Sequence, residues 1–344
     1  MTFSKKKLPK SQVEIEVEVS VEELDSYKEK AIGTLGQNLR VEGFRPGHVP
    51  AEIVIRELGQ EKILTKAAEL AVRESWLKIL KEEQLEVIGE PEIQILKLAL
   101  GNPLLFRVRA AVLPEIELPD YKDVAFKTER RQVQVQEQEL EDALDWLRES
   151  RKQEDGTVPE ASDEFARSLG QFENLSALKQ SLKQGLLHEK ETRESERLRQ
   201  EILEKIAGQA KGEIADLLVA RERLAMMENL KKGVGDAFQM NFEDYLKKIE
   251  KSEQELFDSF GTEAEQRVKR YLVLREVSER ESIEATPEEI EEETGRILQH
   301  YKNMKTAARD IDPKRLKEYT EGVIRHEKTL RFLESFVQHP IRKV

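Results

Sequence analysis

One stretch of eight residues limits what the first third of this chain can form. Residues 43–50 read Gly-Phe-Arg-Pro-Gly-His-Val-Pro. Because two glycines and two prolines so close together interrupt both α-helices and central β-strands, the stretch is predicted to be a loop. Phe44 can stack on a base or fill an apolar pocket, and Arg45 can bind a phosphate or a carboxylate. Two interpretations stay open: a plain helix connector, or a loop that recognises a partner.

The residues around this loop predict a small α+β domain within residues 1–113. Residues 13–19 alternate valine or isoleucine with glutamate, which indicates a half-buried strand. Ser20 and Glu23 form a predicted capping box, which stabilises the start of a helix by roughly 1 kcal/mol. After the loop, helices are predicted near 51–58 and 60–84, the second with Ile63, Ala67, Leu70, Leu77 and Leu80 at helical spacing. Strands near 92–99 and 104–113 then form a hairpin around Gly101-Asn102-Pro103.

A connector and then helices are predicted for the rest of the chain. Pro114 and Pro119 break helices, so residues 114–136 are predicted to be extended. The next helix, near 137–152, has Leu140, Leu144 and Leu147 on its inner side, with Trp146 near them. Residues 188–197 contain no large apolar side chain, so this part of a helix is predicted to project from the body.

The ends of the later helices are also predicted from the sequence. Thr262 and Thr286 each begin a predicted capping box, the second with a proline at the first helical position. The last helix, near 313–338, has an apolar stripe typical of a bundle, made of Leu316, Tyr319, Val323, His326, Leu330, Leu333 and Val337.

Charge is unevenly distributed along the chain. Residues 1–113 hold 17 Lys and Arg against 18 Asp and Glu, a net charge of −1, whereas residues 114–344 hold 40 against 51, a net charge of −11. A polyanionic partner would therefore contact the first part, which has a basic leader at residues 1–10. No apolar segment follows that leader, so it is not a secretory signal, and the protein is expected in the cytoplasm without a membrane contact.

The residue types and their spacing point away from enzymatic chemistry. The chain has no cysteine, no glycine-rich phosphate loop and no zinc-binding histidine pair, so neither a cofactor nor a metal is expected. His326 lies on the apolar stripe of the last helix, where a packed histidine is a better interpretation than a ligand. The glutamates between 288 and 293 fit a solvated helix start better than a cation site.

The octapeptide resembles the ribosome-docking signature of the trigger factor family, Gly-Phe-Arg-x-Gly-x-x-Pro. The predicted elements of residues 1–113 follow the order of that family's ribosome-binding domain, and residues 113–118 and 144–148 resemble its connector and the helix that leads into its prolyl-isomerase domain. The isomerase domain itself is missing, because residues 158–160 and 165–170 already resemble the start of the family's helical domain. One departure is His48, where a lysine is frequent, so the loop has less positive charge.

The resemblance implies an α+β fold with three parts. These are a ribosome-binding domain at 1–113, a connector and linker helix at 114–157, and an elongated helical chaperone domain with arms at 158–344. It implies an ATP-independent chaperone without enzymatic activity, whose partners are the tunnel-exit protein and RNA of the large ribosomal subunit and nascent or unfolded polypeptides, but not DNA. A weak homodimer stays open. The alternative is a helical scaffold that binds no client.

Two sets of site residues follow. The resemblance assigns ribosome binding to Gly43, Phe44, Arg45, Pro46, Gly47, His48 and Pro50. Client binding is assigned to an apolar set in the helical part, because flexible methionines adapt to varied partners. This set is Met226, Met227, Phe238, Met240 and Phe242, and the alternative is that each of them belongs to the core of the helical part.

Overall fold

The computed structural model describes residues 1–42, 44–45, 48–152, 156–238, 240–303 and 312–338, apart from the side chains of residues 237–238 and 300–303. Its first part has a four-stranded antiparallel sheet. The strands are β1 (Thr2–Leu8), β2 (Gln12–Val19), β3 (Glu92–Lys97) and β4 (Leu104–Ala111), in the order β1-β2-β4-β3. Three helices accompany the sheet, namely α1 (Val21–Asn38), α2 (Ala51–Leu58) and α3 (Gln60–Glu82).

One face of the sheet carries the core of this region. Strand β2 places its alternating Val13, Ile15, Val17 and Val19 against the helices, and all four side chains are buried. The register pairs Ile15 with Val108 and Val17 with Phe106, so β4 adds to the same apolar layer. The Ser20–Glu23 capping box at the start of α1 is present as predicted. A small sheet covered by helices confirms the α+β prediction for the start of the chain.

Strand β1 differs from the prediction of a basic leader at residues 1–10. It pairs with β2 along its whole length, with Phe3 opposite Val17 and Lys5 opposite Ile15. Lys5 therefore lies on the core side, where its ammonium group pairs with the Glu83 carboxylate at the end of α3. Pairing with a strong neighbouring strand overrides the poor strand propensity of consecutive lysines.

The other face of the sheet carries a ladder of opposite charges. The register places Lys6, Glu14, Arg109 and Glu92 side by side across the four strands. Arg109 Nε donates to Glu14 Oε2 at 2.6 Å, and in the next row Arg107 Nη2 donates to Glu16 Oε1 at 2.5 Å. Alternating signs on neighbouring strands stabilise the pairing and leave this face almost neutral.

The rest of the described chain is helical. The helices are α4 (Tyr121–Phe126), α5 (Glu137–Glu149), α6 (Asp163–Ser168), α7 (Leu175–Gln209), α8 (Asp216–Phe238), α9 (Phe242–Lys248), α10 (Glu253–Ser259), α11 (Gly261–Arg280), α12 (Pro287–Asn303) and α13 (Pro313–Glu334). None of the described helices combines the length and apolar character needed to cross a bilayer.

Several local predictions for this helical part were wrong. The connector at 114–136 is not wholly extended, because it contains α4, which Asp120 caps by accepting from Asp123 N at 3.0 Å. Thr262 caps no helix, because α11 already begins at Gly261, directly after α10. The box at Thr286 does form, since Thr286 N donates to Glu289 Oε2 at 2.8 Å.

Some apolar side chains assigned to inner faces are exposed. Trp146 is 71% exposed although its neighbours Leu140 and Leu144 are buried. Leu77 on α3 and both Tyr319 and Val323 on α13 are also exposed. Leu77, Tyr319 and Val323 fit helical spacing, and Trp146 lies beside such a stripe, but a spacing pattern does not tell where the packing partner of a helix ends.

The polar stretch 188–197 packs against its own unit instead of projecting. Glu194 is buried, and its carboxylate accepts from Arg131 N at 2.7 Å and from two guanidinium nitrogens of Arg197, each at 2.7 Å. Arg197 also donates to the Glu129 carbonyl oxygen at 3.2 Å. This part of α7 lies against the chain segment after α4 through hydrogen bonds, which an apolar pattern cannot reveal.

Packing divides the chain into two compact units, each built from two stretches. The first contains Met1–Ile116 and Lys211–Lys269, and the second contains Glu117–Ala210 and Arg270–Val344. Within the first unit the β1–β2 turn contacts the start of α8, where Lys10 N donates to Glu213 Oε2 at 2.5 Å and Lys10 Nζ to Asp216 Oδ2 at 2.7 Å. The domain bounds at 113 and 157 follow the sequence and stay a prediction.

Candidate functional site

The loop between α1 and α2 is held at both ends by packed helices. Near the end of α1, a Cβ atom placed on Gly36 would lie 3.3 Å from Val54 Cγ2, so α1 and α2 approach closely there. Leu39 N donates to the Gly36 carbonyl oxygen at 3.4 Å as α1 ends. Pro50 precedes the first residue of α2, and its carbonyl oxygen accepts from Ile53 N at 3.0 Å. Both ends of the loop are therefore fixed by helix packing.

Two backbone hydrogen bonds shape the loop itself. Phe44 N donates to the Val41 carbonyl oxygen at 3.1 Å, and His48 N donates to the Arg45 carbonyl oxygen at 3.0 Å. Each bond joins residues three positions apart, as in β-turns. Of the residues assigned to ribosome binding, Gly43, Pro46 and Gly47 lie outside the described residues.

The loop presents a ring and a cation next to each other on the surface. The Phe44 side chain is 39% exposed, and Arg45, His48 and Pro50 are exposed as well. Among the described residues, no carboxylate pairs with the Arg45 guanidinium group. An exposed phenyl ring loses contact with water when it is covered, and an unpaired guanidinium group can donate two parallel hydrogen bonds to a phosphate or carboxylate. This arrangement can bind a partner.

The second set of predicted site residues lies on α8, on α9 and, for Met240, between these two helices in the first unit. Met227 is buried, so in this structure it belongs to the core and offers almost no exposed surface. Met226, Met240 and Phe242 are partly exposed, and the side chain of Phe238 lies outside the described residues. The ring of Phe242 stacks on Tyr245 with centroids 6.1 Å apart, and Lys231 Nζ lies 5.0 Å from its centre.

The structure adds two apolar side chains that sequence reasoning missed. Leu217 and Leu224 on α8 are exposed, Leu224 by 56% of its surface. They are seven residues apart, so they lie on one side of the helix two turns from each other. The same spacing could have been found in the sequence, but two leucines at that distance more often indicate a buried face.

The described residues hold no group of three or more acidic or histidine side chains that could bind a metal ion. His326 packs edge-on against Tyr271 with ring centroids 5.2 Å apart, and burial lowers its pKa. A packed histidine agrees with the interpretation of the apolar stripe.

Comparisons with known proteins give a consistent result. Residues 1–147 match the family model for the bacterial trigger factor protein, and residues 174–334 match the model for its C-terminus. The trigger factor of Thermomicrobium roseum is 33% identical over 151 residues, which cover 44% of this chain and 30% of that protein. The trigger factor of Halothermothrix orenii is 24% identical over 360 residues, which cover 78% of this chain and 83% of that protein. The alignment with the Thermomicrobium roseum protein thus spans only about a third of that relative's length.

A solved structure has a similar fold over nearly the whole chain. It comes from work on promiscuous substrate recognition in folding and assembly activities of the trigger factor chaperone. The TM-score is 0.63 at 19% identity, with 97% of this chain and 99% of that chain covered. Residues 148–173 lie between the two matched family models. The chain belongs to the trigger factor family, and it lacks the family's middle domain region.

Proposed function

We propose that this protein is an ATP-independent chaperone of the cytoplasm that docks on the large ribosomal subunit through residues 43–50. The observation that carries the proposal is the exposed pair of Phe44 and Arg45 on a loop whose ends are fixed by α1 and α2. The ring can enter an apolar pocket while the guanidinium group pairs with RNA phosphate or an acidic side chain. Fixed loop ends reduce the conformational entropy that binding would cost.

Docking is tested by co-sedimentation with bacterial ribosomes. Replacing both Phe44 and Arg45 by alanine is expected to weaken binding by about tenfold or more, which is about 1.4 kcal/mol or more, because a central ring and a charged donor are lost together. The matched control is Arg73→Ala, which removes an exposed arginine from α3. It should leave both binding and the circular dichroism spectrum unchanged. Equal sedimentation of the double variant and the wild type would contradict docking through this loop.

We further propose that clients bind to exposed apolar side chains of α8, of α9 and of the segment between them. Without a nucleotide site, release would not be driven by hydrolysis, so binding must be weak and reversible. Met226, Met240 and Phe242 are partly exposed, and Leu224 adds a further exposed apolar group on α8. Adaptable apolar surface of this kind accommodates clients that differ in sequence.

A pair of variants separates client contacts from core residues. Changing Met240 and Phe242 together to serine should reduce the suppression of aggregation of an unfolded client several-fold, with little change in Tm, because partly exposed side chains contribute little to the core. The matched variant Met227→Ser should instead lower Tm, because it places a hydroxyl in a buried position. If the double variant has a lower Tm but still suppresses aggregation like the wild type, the client surface lies elsewhere. A protein that suppresses no aggregation and binds no ribosome would be the helical scaffold.

A further inference from the structure

Strand β3 is an open edge of the sheet. Within the described residues it pairs only with β4, and all six of its residues are exposed. The opposite edge, β1, carries Lys5, Lys6 and Lys7 in a row. Lysines on an edge strand discourage further strands from pairing. The sheet therefore has one edge protected by three consecutive lysines and one edge, β3, whose outer backbone groups pair with no strand among the described residues and whose charged side chains, Glu92 and Lys97, lie at its two ends.

The register shows which side of β3 is apolar. Ile93 lies opposite Val108 and Ile95 opposite Phe106, and both β4 residues are fully buried in the core. Residues directly opposite each other share a face of the sheet. Ile93 and Ile95 are therefore on the core side, yet they are 44% and 46% exposed. The helices cover the apolar face of the sheet only as far as β4. The apolar side chains of β3 on that face therefore stay uncovered.

The same edge has defined limits along the strand. Pro91 precedes β3 and has no N–H group to donate. The register shifts between Ile95 and Lys97, which leaves Leu96 as an extra residue with its side chain exposed. Such a bulge ends regular pairing. The edge can thus accept a short partner strand along residues 92–96, and short pairing of this kind gives weak, reversible binding.

The charge ladder on the face of the sheet opposite the core specifies which charge the partner carries. It runs Lys6, Glu14, Arg109 and Glu92, with alternating sign, and Glu92 is its last member. A strand added beside β3 would place one of its side chains next to the Glu92 carboxylate. A lysine or arginine there continues the alternation, whereas an acidic residue would be repelled.

We propose that the β3 edge binds an extended segment of an unfolded client as a fifth strand of the sheet. The segment alternates apolar residues, which cover Ile93 and Ile95, with basic residues, which face Glu92. Backbone hydrogen bonds would supply affinity whatever the sequence of the client. The apolar side of β3, with Ile93 and Ile95, and the opposite side, with Glu92, would select which segments bind. The inference rests on the proposed chaperone function and adds a binding surface separate from α8 and α9.

The probe is a fluorescent peptide of about eight residues that alternates lysine and valine, a length that matches an ordinary strand. Its binding to the full chain is measured by anisotropy. We expect Ile95→Lys to weaken binding by about tenfold or more, because it places a charge on the apolar face of the edge. The matched control Leu77→Lys changes an exposed leucine on α3 and should leave the affinity within about twofold.

Backbone methylation tests the strand geometry on the unaltered protein. Alternate N–H groups of an added strand face β3, so methylating the nitrogens of either the lysines or the valines should abolish binding, and methylating the other set should leave it. If neither or both peptides lose binding, or if a peptide with contiguous valines binds equally well, strand addition is refuted. Dimers seen by sedimentation velocity in the wild type and lost in Ile95→Lys would instead identify a second copy of this chain as the occupant.

An aggregation assay keeps the two proposals apart. If the wild type suppresses client aggregation but does not bind the alternating peptide, the chaperone function stands and the β3 proposal fails. If the wild type binds the peptide through β3 but suppresses no aggregation, the proposed chaperone function fails, and with it the identification of the β3 ligand as a client.

Discussion

At the scale of single residues, Glu194 shows how a buried charge is accommodated. Its carboxylate receives a bidentate pair of hydrogen bonds from Arg197 and one from Arg131 N. The Arg197 hydrogen bonds lower the pKa of this carboxyl, although burial opposes them. Without the Glu194 carboxylate, Arg131 N and two nitrogens of the Arg197 guanidinium group would lose an acceptor, while Arg197 would keep the Glu201 carboxylate and the Glu129 carbonyl oxygen.

The first prediction at this scale concerns pH. Glu194→Gln should lower the free energy of unfolding at pH 7 by about 1–3 kcal/mol, because Arg197 loses one of its two carboxylate partners and keeps only Glu201. A carboxyl whose folded pKa lies below its unfolded value of about 4.3 contributes stability above that pH and loses it as pH falls through the folded pKa. The difference in unfolding free energy between Glu194→Gln and the wild type, measured by urea unfolding, should therefore become smaller below about pH 4.

The control for this prediction is Glu196→Gln, which changes an exposed carboxylate on the same helix. It should alter the unfolding free energy by less than about 0.5 kcal/mol at either pH. A Glu194 variant that is as stable as the wild type at pH 7 would show that the cluster makes no net contribution.

At the scale of elements, the helices carry glycines in different surroundings. Gly185 lies in the interior of α7, and a Cβ atom there would meet nothing within 4 Å. Gly36 lies in the last turn of α1, where a Cβ atom would be 3.3 Å from Val54 Cγ2. Gly185 destabilises its helix, whereas Gly36 allows α1 and α2 to approach each other before the loop at residues 43–50.

A pair of alanine variants tests this difference. Gly185→Ala should stabilise α7 by about 0.5–1 kcal/mol and raise Tm by about 1–4 °C, because alanine restricts the unfolded chain and fits the helix. Gly36→Ala should show a smaller gain or a loss, because the added methyl group presses on Val54. Thermal melting followed by circular dichroism compares the two, and an equal gain would mean that α2 moves aside at little cost.

At the scale of the whole molecule, the chain leaves its first unit after Ile116, contributes residues 117–210 to the second unit and then returns to the first. Lys211 to Lys269 pack with residues 1–116, and the return passes through Gly212 at a φ of 147°. A Cβ atom at Gly212 would lie 2.8 Å from the Glu115 carbonyl oxygen. Only glycine fits this close backbone approach, which joins two stretches that lie far apart in sequence.

The missing middle region gives a prediction at the same scale. Only residues 148–173 separate the two matched family models, so the stretch is too short for a catalytic domain of the isomerase type. We expect the purified protein to leave the rate of cis–trans isomerisation of a proline peptide at its uncatalysed value of tens of seconds or more. The control is an added isomerase in the same assay. Catalysis that persists through repurification would contradict this prediction.

Local patterns in the sequence determined much of the secondary structure. The alternation of residues 13–19 fixes β2, and the prolines and glycines of residues 43–50 separate α1 from α2. The same octapeptide, read in the sequence alone, indicates the family. Such features depend on neighbours within a few positions, so they can be seen in one sequence.

Tertiary structure alone decided which side chains are covered. It paired the lysine-rich β1 with β2, buried Glu194 in a polar stretch, placed Met227 in the core and left Ile93 and Ile95 exposed on the core side of the sheet. Each of these outcomes depends on a partner far away in sequence, through strand pairing, a backbone hydrogen bond or the point where a helical layer ends. A residue's own pattern does not contain that information, because burial is a property of the partners that fold against it.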